Sequence, residues 1–219
     1  TTNTNDYPTT NVAYYKMSTA ADEKDTYNGT ASNVNFNVQG KFGNAAEFNG
    51  SSSYISLPNL GISGNQAFSV SFWVYKDAAT SGLDFVYFQG NLQNSQAIQL
   101  FFTANETFNV DYYFTAGYYT SSNIITLNKW HHIVATFSGG AVQDSNNTNI
   151  YVDGSLVAKT ASINGSGNAN FGNTNYNIGR RTDGYHFDGT LDQVRIFSSA
   201  LDASQVTQLY NEVYCVPTI

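Results

Sequence analysis

A short alternating apolar run closed by a turn signal recurs along this chain of 219 residues, and that rhythm restricts it to sandwiches and barrels. In SVSFWVY (69–75), Val70, Phe72 and Val74 share one face while Ser69, Ser71, Trp73 and Tyr75 share the other, so the strand is apolar toward a core and aromatic on its second face. WHHIVATF (130–137) behaves alike: Ile133, Ala135 and Phe137 alternate with Trp130, His132, Val134 and Thr136. In IYVDGSLVAKT, Asp153 and Gly154 occupy the two positions of a type I′ hairpin turn that require positive φ. Runs at AAEF, SYISL, DFVYF, AIQLFF, FNVDYYF and YNIG bring the expectation to about a dozen strands. No repeat of fixed period and no second domain is visible. The expected organisation is a linker-like start over residues 1–11, one domain over 12–213 and a tail over 214–219.

Composition narrows the partners. With 41% hydrophobic residues, 15 Phe and 16 Tyr against 11% charged, the chain has the material for a core despite its many Asn, Ser, Thr and Gly. A formal charge of −7 supplies no electrostatic footprint for nucleic acid or an anionic membrane surface. No apolar run approaches the ~20 residues of a membrane span, and TTNTNDYPTTN has neither a basic nor an apolar leader region. The lone Cys215 forms no disulfide within the chain, and pairing with another chain stays open. Little Lys beside much Asn, Thr and Tyr suits an extracellular, cell-surface or virion-surface location, where the NGT, NGS and NET sequons could be glycosylated in a eukaryotic secretory pathway.

The segment FDGTLDQVRIFSSALDASQVTQLYNE (187–212) predicts a last strand, a corner and a short helix. Uninterrupted alternation puts Asp192 on the side of Val194 and Ile196, toward the core, where a carboxylate needs partners. Asp202 with Gln205 forms a capping-box signature, and Leu201 is spaced to staple Val206, so the helix begins at Ala203. Val206, Leu209, Tyr210 and Val213 then make one apolar stripe.

The order AAEFNGSSSYISLP, SVSFWVY, KWHHIVATFSGG, NIYVDGSLV and IGRRTDGYHFDGTLDQVRIFSSALDASQVTQLYN resembles the laminin-G-like, or concanavalin A-like lectin and glucanase, superfamily, from about residue 12 to 211. VAYYKM followed by DTYNGTASNVNF resembles its first strand and the Asp-containing segment after it. The resemblance implies an all-β jelly-roll sandwich of two curved antiparallel sheets with one short C-terminal helix. It does not imply one activity, because members include sugar-binding modules, adhesion domains, glycan-cleaving enzymes and virion appendages. It also implies a structural Ca²⁺ where the segment after the first strand meets the last strand, with Asp25, Asn28, Asn49 and Asp192 at the matching positions. The alternative is that Asp25 and Asn28 form a turn with Gly29 and that Asp192 accepts backbone hydrogen bonds.

Catalysis is not expected. Glu23, Glu47, Glu106 and Glu212 are all the glutamates, with no Glu-x-Asp-x-x-Glu among them, so the strand-borne dyad of the retaining glycosidases is missing. His131, His132 and His186 form no spaced metal triad, and no Gly-x-Ser-x-Gly occurs. His131 and His132 read as packing residues. Binding of a glycan or polysaccharide needs flat aromatic faces beside planar polar groups. Two clusters offer them: Tyr112, Tyr113, Tyr118 and Tyr119 around a Gly-containing turn, and Arg181, Asp183, Tyr185 and His186, next to Arg180, in a loop. Packing is the competing role for each single Tyr. The expected function is a non-catalytic carbohydrate-recognition or adhesion module, with a structural decoration or fibre subunit contacting neighbouring proteins as the rival.

Overall fold

The computed structural model describes residues 11–212. Apart from Asn11, which opens the first strand, the expected linker lies outside them, as do Val213, Cys215 and the tail. In chain order the first strands are β1 Asn11–Tyr15, β2 Thr30–Ser32, β3 Asn35–Gln39, β4 Asn44–Asn49, β5 Tyr54–Leu57, β6 Phe68–Tyr75, β7 Asp84–Gly90 and β8 Ala97–Thr103. They continue as β9 Thr107–Asp111, β10 Ala116–Tyr119, β11 Trp130–Phe137, β12 Thr148–Val152, β13 Ser155–Leu156, β14 Thr160–Ile163, β15 Tyr176–Ile178 and β16 Asp188–Phe197, before helix α1, Ala203–Tyr210. These make two antiparallel sheets. The first runs β13-β12-β11-β6-β16-β4-β3, with β1 also paired to β16; the second runs β14-β10-β9-β8-β7-β15-β5-β2. The architecture is the expected sandwich with one short C-terminal helix.

The core lies between the inner faces, where Val70, Phe72 and Val74 of β6 and Ile133, Ala135 and Phe137 of β11 meet Leu100, Phe102, Phe108 and Val110 of the second sheet. Alternation thus lands as the sequence predicts. Truncating one of these, Phe72 for instance, would cost ~3–5 kcal/mol. The β12–β13 hairpin turns on Asp153 and Gly154, at φ 49° and 79°. Helix α1 starts at Ala203 under the Asp202–Gln205 capping box, and Leu201, Val206 and Leu209 close over Val134, Tyr151 and Phe197 on the outside of the first sheet.

Two expectations are corrected here. Gln193 adopts φ 51° and the β16–β6 register shifts between Asp192 and Arg195, a bulge that inserts one residue and resets the alternation. Leu191 and Val194 therefore both enter the core, and Asp192 stands opposite Trp73 on the outer face. It is still fully buried, because the loop at residues 40–43 covers it, with the Phe42 amide donating at 2.8 Å and Gln193 Nε2 at 3.1 Å. Trp73, expected on an available aromatic face, is 3% exposed. It is stacked on Tyr210 at 5.7 Å, edged by Phe42 and capped by the Lys41 ammonium at 4.3 Å.

Burial pushes the Asp192 carboxyl up to about 6 despite the donors it has. The unfolded chain then releases this proton at lower pH than the folded one, so its contribution to stability is full below about 4 and is lost as pH rises through 6. Asp192→Asn removes that dependence while keeping an acceptor for the Phe42 amide. Measured against the wild type, its melting temperature should fall as pH goes from 7 to 4, and a constant difference would refute this environment for Asp192.

Candidate functional site

Helix α1 and the 40–43 loop cover part of the first sheet, and the candidate site lies on the outer face of the second, where β9 and β10 alternate buried with half-buried or exposed positions. Its polar layer follows from alternation. Ile98, Leu100 and Phe102 of β8 point inward, which turns Gln99 and Phe101 outward, and Phe108 and Val110 of β9 likewise turn Asn109 and Asp111 outward. Asp111 pairs with Gln99 across the ladder, and Gln99 Nε2 donates to Asp111 Oδ1 at 2.8 Å. Gln99 Oε1 accepts from Arg181 Nη1 at 2.9 Å, and the other side of the Arg181 fork is bidentate to Asp183, at 2.7 and 2.8 Å. A line of four polar groups, Asp183–Arg181–Gln99–Asp111, thus crosses the face. The Arg181 guanidinium also contacts the rings of Phe85, at 4.7 Å, and Tyr185, at 4.6 Å, which pack on each other at 5.8 Å.

Aromatic surfaces stand around this line. Tyr113 and Phe114 take φ 39° and 55° in the β9–β10 turn, a left-handed geometry that for aromatic residues costs ~1–2 kcal/mol each. Phe114 is 66% exposed there, edge-on to Tyr113 at 4.6 Å, and Tyr185 is 42% exposed. Beside Phe114 lies a pocket of about 260 Å³ lined by Gln99, Phe101, Asp111, Arg181, Tyr113, Phe114 and Asn164. Burial pushes the Asp111 carboxyl up to about 6, only partly offset by the Tyr113 amide, Arg181 and Gln99. Gly117 leaves room for the carboxylate in this position, since a Cβ there would lie 2.8 Å from Asp111 Oδ2 and displace it.

The expected ligand residues divide into three places. Tyr113 and Arg181 line this pocket, Asp183 and Tyr185 adjoin it through their contacts with Arg181, and Tyr119, 36% exposed, lies on the same sheet. Tyr112 and Tyr118 do not belong to it: both are in the core, with hydroxyls bonded to Thr148 Oγ1 at 2.5 Å and to the Val142 carbonyl at 2.7 Å. His186 faces Tyr54 and contacts the Ser53 carbonyl. Gln99, Phe101, Asp111, Phe114 and Asn164 were not anticipated. The outward parity of AIQLFF and FNVDYYF carried a signal for the first three.

The four expected calcium ligands do not fit one ion. Asn49 Oδ1 accepts the amides of Ser51, Ser52 and Ser53. Asn28 Oδ1 accepts the Asp22 amide while its Nδ2 donates to Asp25 at 2.6 Å. Asn49 pairs with Asp188, four residues from Asp192 along β16 and hence ~13 Å away. Among the described residues no three His, Cys, Asp or Glu side chains gather as metal ligands. A larger cleft, about 460 Å³, collects Glu47, Asp77 and Asp188. Burial, with the like charges of Asp84, Asp77 and Glu47 and against the pull of Lys76, keeps the Asp188 carboxyl above its ordinary value, and the half-buried Tyr75 of this cleft is tilted against Trp130 at 5.6 Å. His132, buried beside Trp73 and bonded to Ser71 Oγ at 2.8 Å, is held neutral by burial, its pKa pushed down to about 3. It packs, as expected.

A family model described as the concanavalin A-like lectin/glucanases superfamily matches residues 49–207. The chain belongs to that superfamily. No curated protein sequence matches it. Among solved structures, this superfamily member is similar to domain 4 of AbnA, a GH43 extracellular arabinanase from Geobacillus stearothermophilus, solved with arabinotriose: TM-score 0.67, 22% identity, 92% of this chain and 98% of that one. It is similar also to Trypanosoma rangeli sialidase, at TM-score 0.67 and 19% identity, covering 93% of this chain and 33% of the sialidase. A third is the binding domain of Paraclostridial Mosquitocidal Protein 1, at 0.65 and 18%, covering 92% and 52%. At such identities these likenesses establish the fold.

Two outcomes follow from the geometry. Gly117→Ala should leave the melting temperature nearly unchanged, since the group it strikes is a movable carboxylate. It should swing Asp111 away from Gln99, so that its pKa, read by NMR, returns toward the ordinary 3.9 of an exposed Asp; an unaltered titration would sink the assignment. Because Asn49, Asn28 and Asp192 already have protein donors, neither EDTA nor added Ca²⁺ should shift thermal unfolding, whereas a rise lost in Asp192→Asn would show that the region rearranges around an ion.

Proposed function

We propose that the domain is a non-catalytic carbohydrate-recognition module acting outside the cell, on a cell or virion surface or as part of a secreted protein, with its ligand on the outer face of the second sheet. The observation that carries this is the pairing of exposed aromatic planes, Phe114 and Tyr185, with a fixed line of planar polar groups ending at Asp111. Sugars need both at once: an apolar surface for their C–H faces and oriented acceptors for their hydroxyls. Support comes from a relative of the same fold, a domain solved with arabinotriose. This chain spans about a third of the sialidases' length, so their activity is not carried over with the fold. A second reading, contact with neighbouring subunits, is favoured by β14, an edge strand exposed along its whole length and open to pairing with another chain.

The test is a glycan array followed by titration of the hits. Tyr185→Ala and Phe114→Ala should each weaken binding by roughly 2–10-fold, the worth of one aromatic contact, without lowering the melting temperature. Tyr118→Phe should do the reverse, destabilising the fold by about 1 kcal/mol through the orphaned Val142 carbonyl and leaving affinity intact. Silence across broad arrays, together with a stable oligomer broken by Pro at Ser162, would favour the subunit reading.

A further inference from the structure

The proposed sugar site also has a charge preference written into its hydrogen bonds. Arg181 is the cation of the pocket, and three of its five N–H groups are engaged: Nε and Nη2 on the Asp183 carboxylate, Nη1 on Gln99. Gln99 in turn donates to Asp111. The other nearby guanidinium, Arg180, lies over the Tyr54 ring at 3.3 Å and donates Nε to Asn177, outside the pocket lining. The balance at the site is two carboxylates, Asp111 and Asp183, against one positive charge that Asp183 already holds. A hydroxyl brings a donor to such a surface; a carboxylated sugar brings two more acceptors and a like charge.

We propose that the site takes uncharged oligosaccharides and that Asp183 is the specificity-determining residue, excluding acidic sugars by holding Arg181. This rests on the carbohydrate reading above. Asp183 sits in an exposed loop, its side chain 39% accessible, so changing it leaves the fold alone. Asp183→Asn loses the charge pair and releases the Arg181 fork toward the pocket, where a sugar carboxylate can take the same bidentate bonds.

The experiment measures binding of neutral arabino-, xylo- and galacto-oligosaccharides beside galacturonate oligomers and sialyllactose, for wild type, D183N and the D183N/R181Q double variant. Expected are binding of a neutral class by the wild type with none of the acidic probes, a gain of roughly tenfold or more for an acidic probe in D183N, weakened by salt, and loss of that gain in the double variant. Equal or tighter binding of acidic probes by the wild type would overturn the charge preference and leave the carbohydrate reading standing. No gain in D183N, or a gain that survives R181Q, would remove Asp183 from its role. Failure of both probe classes on every protein would overturn the inference together with the carbohydrate reading beneath it.

Discussion

One residue sets which side chains of β16 face the core and which face outward. With Gln193 in the left-handed region, β16 presents Leu191 and Val194 to the core and then places Arg195 and Phe197 outside, where each acquires a cover. Phe197 joins Leu201, Val206 and Leu209 beneath α1, Arg195 pairs with Glu212 at 2.7 Å and lies over the Tyr14 ring, and Asp192 lies under the 40–43 loop. Without the bulge the strand would turn Asp192 inward and pull its partners out of register. The centre of the first sheet is therefore buried on both faces, β6 over all but its last residue, and in the second sheet β7 is buried along its whole length, while β9 and β10 alternate buried with half-buried or exposed positions.

The closed face is polar underneath, and this costs stability that the packing must offset. His132 has one ring nitrogen bonded to Ser71 and the other without a partner among the described residues, and an unmet buried nitrogen costs about 1–3 kcal/mol. Its depressed pKa withdraws stability as pH falls from 6.5 toward 3, opposite in sign to Asp192 over much the same window. A third buried set, Lys76 with Asp84, Thr80 and Glu106, ties β6 to β7 and the turn before β9. Removing one member of such a set leaves a buried charge behind, which is why it fixes strand positions more firmly than it adds to stability.

Much of this was legible. The alternation of SVSFWVY, the Asp153–Gly154 turn and the Asp202–Gln205 cap each encode their geometry in two or three adjacent residues, so the sequence states them directly. The bulge at Gln193 has no such mark, since glutamine is not a residue that asks for positive φ, and Asp192 was misassigned for that reason. Tyr112 and Tyr118 illustrate a different limit. A tyrosine bonded inside through its hydroxyl and one that offers a face to a sugar have the same letter, and here parity with Phe108 and Val110, not abundance, identifies Tyr112 as core.

The turn at Tyr113 and Phe114 is where stability alone gives no account of the sequence. Positive φ at consecutive positions favours Asn or Gly, yet aromatic residues stand there, and one of them, Phe114, is two-thirds in water. Both costs act on the folded state, and no core contact repays them: Phe114 touches Tyr113 at its edge and otherwise faces the pocket. Gly117, on the strand that returns from this turn, gives up its own side chain so that Asp111 can lie against it. Strain, exposure and a yielded side chain converge on one patch of the second sheet, and a ligand that covers Phe114 while donating a hydroxyl to Asp111 would offset them.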